Sequence, residues 1–329
     1  MALLHMDGFD MGDGALRYPN GSGSGTNTTT RFSYGRSIIS SGSAQIAKDI
    51  VSGSTAVISG FAMNNQSGSI SFFSDAGATQ HITVVFGSTG NIDVRRGNTG
   101  GTILASATSA YSSGWNYFEV RCIISDTVGE VQVRVNGSAS NTINLTSSDT
   151  KNGGTLTSID RVSLYGNSQA QFDDWYIIDT TGSLNNTYLG DCRVYTLAPS
   201  GNGNYSQFVG SDGNSTDNYL LVDEQPYSTG DYTGSATSGN RDSYVMTDLP
   251  GTATTVFGVN EVSVVFKSDA GAATMKQLLR ISATDYESSA VTLSTSPSVI
   301  TTLRETNPNT SAAWTPAGVN GAEAGARVG

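Results

Sequence analysis

Residues 115–145 alternate so regularly that an antiparallel sheet is the structure they best accommodate. Val131, Val133 and Val135 fall on one side of a strand of period two, with Gln132 and Arg134 on the other. The run 115–124 precedes it as a partner strand. Asn136-Gly137 follows, a pair that tolerates positive φ in a tight turn, and Ile143 and Leu145 then resume the apolar pattern.

The same grammar of short strands and Gly/Ser/Asn turns runs through 55–63, 70–74, 81–86, 91–95, 102–107, 159–165 and 172–178. With 39 Gly and hydrophobic residues at 37% in short runs, a core forms by stacking half-buried sheets rather than helices. The expected fold is all-β, an antiparallel jelly-roll sandwich followed by a second, mostly β region. A chain of 329 residues suggests two domains: a jelly roll over 1–185 and a β-rich region over 186–329. Within the first, the segment to about residue 36 reads as loop. In the second, 189–197 reads as a strand, and 200–240 as a long polar stretch, either ordered loop or crossover between sheets. Further strands are expected at 256–268, 277–283, 290–293 and 299–305, with a possible edge at 322–328.

Lys plus Arg number 17 against 28 Asp plus Glu, a net charge of -11, which repels nucleic-acid phosphate. No run approaches transmembrane length, and Met1 to Asp7 lacks the basic start of a signal peptide. Neither membrane insertion nor secretion is therefore expected, and sequons such as Asn27-Thr28-Thr29 follow from an Asn- and Thr-rich composition. Cys122 and Cys192 are far apart and lack metal-ligand spacing, which predicts free thiols.

Catalytic signals are thin. A sandwich glycosidase needs two close carboxylates, usually alternating on one strand, and no such run occurs. Glu119 and Glu130 look solitary and solvent-facing, and Asp173-Asp174 interrupts an apolar run. His5 and His81 are the only histidines, with no Gly-x-Ser-x-Gly elbow, so no Ser-His-Asp arrangement is expected. No resident cofactor is implied. Calcium is the candidate ion: Asp7, Asp10 and Asp13 among Gly8, Gly12 and Gly14 form one candidate set, and Asp173 or Asp174 another, although turn formation alone explains Asp-Gly pairs. Trp115 and Trp175 sit in strand patterns and read as core, while Trp314 leaves sugar stacking open. Tyr205, Tyr219, Tyr227 and Tyr232 occur where aliphatic support is sparse, which makes them candidate carbohydrate or partner contacts.

Trp115 to Val120, Val133-Arg134-Val135-Asn136-Gly137 and Phe172-Asp173-Asp174-Trp175-Tyr176-Ile177 together resemble the laminin-G and concanavalin-like lectin/glucanase superfamily. That likeness implies fold more than activity, because the superfamily includes lectins, enzymes and spacers. A second set spans most of the chain: Met1 to Leu4 running into Asp7-Gly8-Phe9-Asp10, then Tyr188 to Val194, Val222-Asp223-Glu224-Gln225-Pro226, Asp242-Ser243-Tyr244, Lys267 to Gly271 and Ala313-Trp314-Thr315. It resembles a recurring tailed-bacteriophage virion protein.

The virion resemblance implies assembly in the bacterial cytoplasm, residence in the virion and contacts with other virion proteins in several copies. The expected function is a non-enzymatic structural component, tail- or fibre-associated or capsid-decorating. The alternative is a host-surface carbohydrate-binding adhesin of the tail, and a polysaccharide depolymerase ranks below both.

Overall fold

The computed structural model describes residues 2–12, 14–19, 24–27, 30–32, 35–40, 45–64, 67–166 and 170–329. The chain divides into two units, Met1–Val194 and Tyr195–Gly329. The first reaches nine residues past the 185 expected from sequence. Its last segment is held by polar side chains of the sheet, as described below, rather than by an apolar stripe that sequence reading detects.

The first unit is a two-layer antiparallel sandwich. Its strands are β1 (Leu3–Asp7), β2 (Ser24–Asn27), β3 (Ser37–Ser40), β4 (Gln45–Ser54), β5 (Ala56–Met63), β6 (Gly68–Ser74) and β7 (Thr79–Phe86). There follow β8 (Ile92–Arg96), β9 (Thr102–Ala107), β10 (Asn116–Ile123), β11 (Gly129–Val135), β12 (Ile143–Ser148), β13 (Ile159–Gly166) and β14 (Ala170–Asp179). One sheet has the order β12-β11-β10-β5-β14-β3-β2, with β1 also on β14, and the other the order β4-β13-β6-β7-β8-β9. The crossovers between sheets give the expected all-β jelly-roll sandwich.

Period two places the core as expected. Val131 and Val133 of β11, Phe118 and Val120 of β10, and Val57 and Phe61 of β5 turn inward against Phe72, Ile82, Val84, Phe86, Val162 and Leu164 of the facing sheet. Phe86 and Phe118 lie 4.3 Å apart between ring centroids, and Phe61 touches both. Asn136 takes φ 52° and Gly137 φ 68°, the consecutive left-handed pair that the turn requires.

The N-terminal segment departs from the expectation of loop, because Leu3–Asp7 pairs with β14. Five residues alternating buried and half-buried are too few for the pattern to stand out. His5 meets Trp175 edge-on at 4.8 Å and Tyr18 at 5.9 Å, while Phe9 stacks on Trp175, so the start of the chain closes the core at this end.

In the second unit, Pro199–Ser206, Arg241–Met246, Ala322–Val328, Thr274–Ile281 and Thr284–Glu287 pair in that order, and Val291–Thr292 also pairs with Thr274–Ile281. Val259–Val265 and Ser298–Arg304 make a separate ribbon. One small apolar cluster gathers Leu279, Ile281, Trp314, Val319 and Ala322, and Phe208, Tyr244, Val265, Met275 and Leu278 are buried as well. Residues 189–197, expected as a strand, form none. The polar stretch 200–240 is anchored at its middle by Asn218, fully buried, whose amide donates to Phe208 O (3.1 Å) and Asp242 (2.7 Å). Among the described residues no helix is long and apolar enough to cross a membrane.

Candidate functional site

The acids singled out by sequence are spent on holding the fold. Across β10, β5 and β14 the register sets Glu119, Gly60 and Tyr176 in one row on the face away from the core. A Cβ on Gly60 would lie 2.1 Å from the Tyr176 ring, so the missing side chain is what lets that ring cross β5. The Tyr176 hydroxyl then donates to Glu119 Oε1 at 2.5 Å, and Gly190 N donates to the same oxygen at 2.8 Å. Glu119, expected at the surface, is 1% exposed because the segment 188–194 lies over it. Leu189 N donates to Tyr176, Tyr188 donates to Gln132, and Arg134 sits over the Tyr188 ring at 3.7 Å.

Asp174 completes this strap. A register shift between Asp173 and Tyr176 breaks the β14–β5 ladder, and Asp174 takes φ 52° there. Its carboxylate accepts from Val194 N at 2.8 Å and from Arg31 at 3.0 Å, while Arg31 also pairs with Asp191. Burial raises the Asp174 pKa, opposed by these donors. Asp173 accepts from Asp174 N, and burial together with the Asp174 charge pushes its carboxyl up to about 8.

Asp7 is likewise committed. It takes Arg17 at 2.7 Å, the Tyr18 hydroxyl at 2.5 Å and Phe9 N at 2.8 Å. Asp10 accepts from Arg36 N at 2.5 Å; Asp13 lies outside the described residues. Among the described residues no group of three or more His, Cys, Asp or Glu is placed to hold a metal ion. Asp7, Asp10, Asp173 and Asp174, the candidate calcium ligands within the described residues, accept from Arg side chains, a Tyr hydroxyl and backbone N–H groups. Cys122 and Cys192 are free, and burial raises both thiol pKa values.

The histidines are structural. His81 Nδ1 accepts from Asn152 N at 3.0 Å and Nε2 pairs with Ser74 Oγ at 2.8 Å, which fixes the ring at a hairpin end. Burial, then Lys151, lowers its pKa.

The face of β4-β13-β6-β7-β8-β9 away from the core is the better candidate surface, and sequence reading missed it. Because Ile46, Leu164, Ile70, Val84, Ile92 and Val94 point inward, Gln45, Tyr165, Ser69, Val85, Asp93 and Arg95 point outward. The register sets Gln45, Tyr165, Ser69, Val85 and Asp93 in one row across five strands. Tyr165 and Val85 are half-buried with the small Ser69 between them, making an apolar ledge with a notch. At the row's end Asp93 accepts from Ser106 at 2.7 Å and Arg95 at 2.8 Å, and these bonds hold its carboxyl below the ordinary range. Gln80, Ser71 and Thr83 form a hydrogen-bonded floor beside it. Ser163 Oγ and Arg95 Nε are buried there without partners among the described residues. The row was legible only as outward positions of strands whose inward positions drew attention.

The four candidate tyrosines all lie in the second unit. Tyr205 lies on the sheet of the second unit, its hydroxyl donating to Asp285 at 2.9 Å and accepting from Arg241 and Arg280. Tyr232 is 44% exposed and meets Phe266 edge-on. Tyr219 and Tyr227 are half-buried. Trp175 and Trp314 are buried, whereas Trp115, expected in the core, is only half-buried.

No family model matches the chain, and no curated protein matches it in sequence. Among solved structures, the chain is similar to the calcium-bound exoplasmic/lumenal domain of VIP36 at 10% identity and TM-score 0.35, over 56% of this chain and 93% of that one. It is similar to domain 4 of AbnA, a GH43 extracellular arabinanase from Geobacillus stearothermophilus, in complex with arabinotriose, at 13% identity and TM-score 0.35, over 54% and 92%. A tetrameric galectin from the sponge Cinachyrella sp. gives 8% identity and TM-score 0.30, over 40% and 96%. Likenesses this faint carry no argument about ligand or assembly.

Proposed function

We propose that this chain is a non-enzymatic, carbohydrate-binding adhesin of a bacteriophage tail, holding a host-surface saccharide on the outer face of β4-β13-β6-β7-β8-β9. The observation that carries the reading is the row Tyr165-Ser69-Val85-Asp93. It offers a ring and an aliphatic ledge for a pyranose face, then a charged acceptor for hydroxyls about 14 Å away at ordinary strand spacing. The virion setting and assembly in the bacterial cytoplasm rest on the sequence resemblance. A non-enzymatic role is supported by the engagement of Glu119 and Asp174 with protein donors, which leaves neither free to act as acid or nucleophile.

Glycan-array screening followed by calorimetry tests it. Asp93→Ala or Tyr165→Ala is expected to weaken the saccharide found by at least about tenfold, or about 1.4 kcal/mol, at unchanged melting temperature. Failure of the wild type to bind any saccharide would sink the reading, and release of reducing ends from a bound polysaccharide would overturn its non-enzymatic part.

A structural role through subunit contacts is the second reading, favoured by exposed Val209 (51%), Leu220 (52%) and Val245 (43%) in the second unit. Quantitative mass spectrometry of intact virions, capsids and tails separates the two. Many copies on capsids favour the structural role, a few on tails favour the adhesin, and absence from all three removes the virion setting.

A further inference from the structure

The second unit carries a concentration of positive charge that its acidic chain does not predict. Of the Lys and Arg in residues 195–329, Arg241, Lys276, Arg280 and Arg327 share one sheet face, apart from Lys267 and Arg304. Register makes the placement specific. Arg241 pairs with Arg327, and Arg327 with Lys276, so three cations stand directly opposite one another across three adjacent strands. Like charges opposed in this way disfavour a sheet unless something offsets them.

Within the protein the offset is incomplete. Glu287 reaches Lys276 and Arg327 at 2.9 Å and Arg241 only at 3.9 Å. Asp285 is shared between Arg241 (2.8 Å) and Arg280 (2.7 Å). Glu323, opposite Arg280, accepts from Ser243 and Asn204 N. Among the described residues the buried Nε groups of Arg241 and Arg327 have no acceptor. The side chains of Arg241, Lys276 and Arg327 nevertheless stay 30%, 30% and 31% exposed, so the row is partly open to solvent.

We propose that this face binds a carboxylate-bearing saccharide, a uronate oligomer or polymer. The cations recur at strand spacing, about 4.8 Å, and a chain with one carboxylate per sugar presents repeated anions to such a row. Guanidinium groups take such carboxylates two-pronged. Tyr205, with Arg241 and Arg280 centred 5.2 and 5.1 Å from its ring, borders the row and supplies a flat surface for a sugar. The proposal extends the carbohydrate reading to a second face that operates independently of Asp93 and Tyr165.

The test is calorimetric titration of the full chain with oligogalacturonate, a neutral galactose oligomer and poly-glutamate, at low and high salt. The same titrations are run on Arg327→Gln, Lys276→Gln and Asp93→Ala, with thermal melts confirming that each variant folds. The expected result is oligogalacturonate binding that weakens with salt, falls at least tenfold in Arg327→Gln and in Lys276→Gln, and survives in Asp93→Ala. Absence of oligogalacturonate binding, indifference to the two row variants, or tighter binding of poly-glutamate overturns the proposal. If the wild type binds oligogalacturonate but no neutral saccharide, the sandwich-face reading fails while this one stands.

Discussion

The two units solve the same problem with different materials. Residues 1–194 bury a continuous apolar layer between two sheets, filled by Phe61, Phe72, Phe86, Phe118, Phe172 and Trp175. Residues 195–329 gather a much smaller apolar cluster around Trp314 and hold their sheet with lateral polar pairs, such as Asp285 between two arginines. Apolar burial scales with area removed from water, whereas partly exposed ion pairs contribute about 0–1 kcal/mol each. The first unit is therefore expected to be the more stable.

The largest test of that comparison is Phe118→Ala. Removing a fully buried ring from the centre of the sandwich should cost about 3–5 kcal/mol. In differential scanning calorimetry it should lower a transition belonging to residues 1–194 and leave a separate, cooler transition of residues 195–329 in place. One transition that moves as a whole would break the comparison, because the units would then unfold together.

Glu119→Ala comes next. It strands the Tyr176 hydroxyl and Gly190 N, and an unsatisfied buried group costs about 1–3 kcal/mol. Hydrogen exchange should rise across 188–194 while the strands beneath keep their protection. Gly60→Ala should give the same local signature at about 1–3 kcal/mol, since its Cβ would collide with the ring of Tyr176. Unchanged exchange in both variants would mean that the strap is held by something else.

These residues also mark where the sequence ran out. Alternation in β10 and β11 was legible because one face is solidly Val, Phe and Ile, and a two-layer reading needs nothing more. Glu119 looked solvent-facing by the same logic, which has no place for a third layer. That layer exists because Gly60, Tyr176 and Glu119 meet across three strands, a register invisible in one dimension. In the second unit the strand Pro199–Ser206 reads as loop because Gly, Asn and Ser fill most of it, and only Pro199 and Tyr205 mark the alternation of its exposures. Its pairing with Arg241–Met246 is a tertiary decision that overrides weak local preference. The outward row through Tyr165 and Asp93 went unread for a related reason: polar outward positions are what any sandwich strand shows.

Histidine protonation should move the two units unequally. His5 and His81, both in the first unit, are held below their ordinary pKa of 6.5, chiefly by burial and then by nearby Lys and Arg. The folded state thus binds fewer protons than the unfolded chain just below that pH. Their contribution to stability is complete above about pH 6.5 and is lost as pH falls toward the folded pKa values. The second unit contains no histidine, so its transition should move less between pH 7 and 5 than that of the first. Equal shifts would break this part of the contrast.

Asp173 should act in the opposite direction. Its carboxyl is pushed up to about 8 by burial and by Asp174, so the folded state holds a proton that the unfolded chain releases near 3.8. Stability is lost as pH rises through that interval, and the full penalty is reached only above about pH 8. Asn keeps an oxygen for the bond from Asp174 N and has no charge to bury. Asp173→Asn should therefore raise the melting temperature of the first unit at pH 8 more than at pH 5, without moving the second. A gain equal at both pH values would show that the side chain's packing, rather than its charge, sets the cost of this acid within the sandwich.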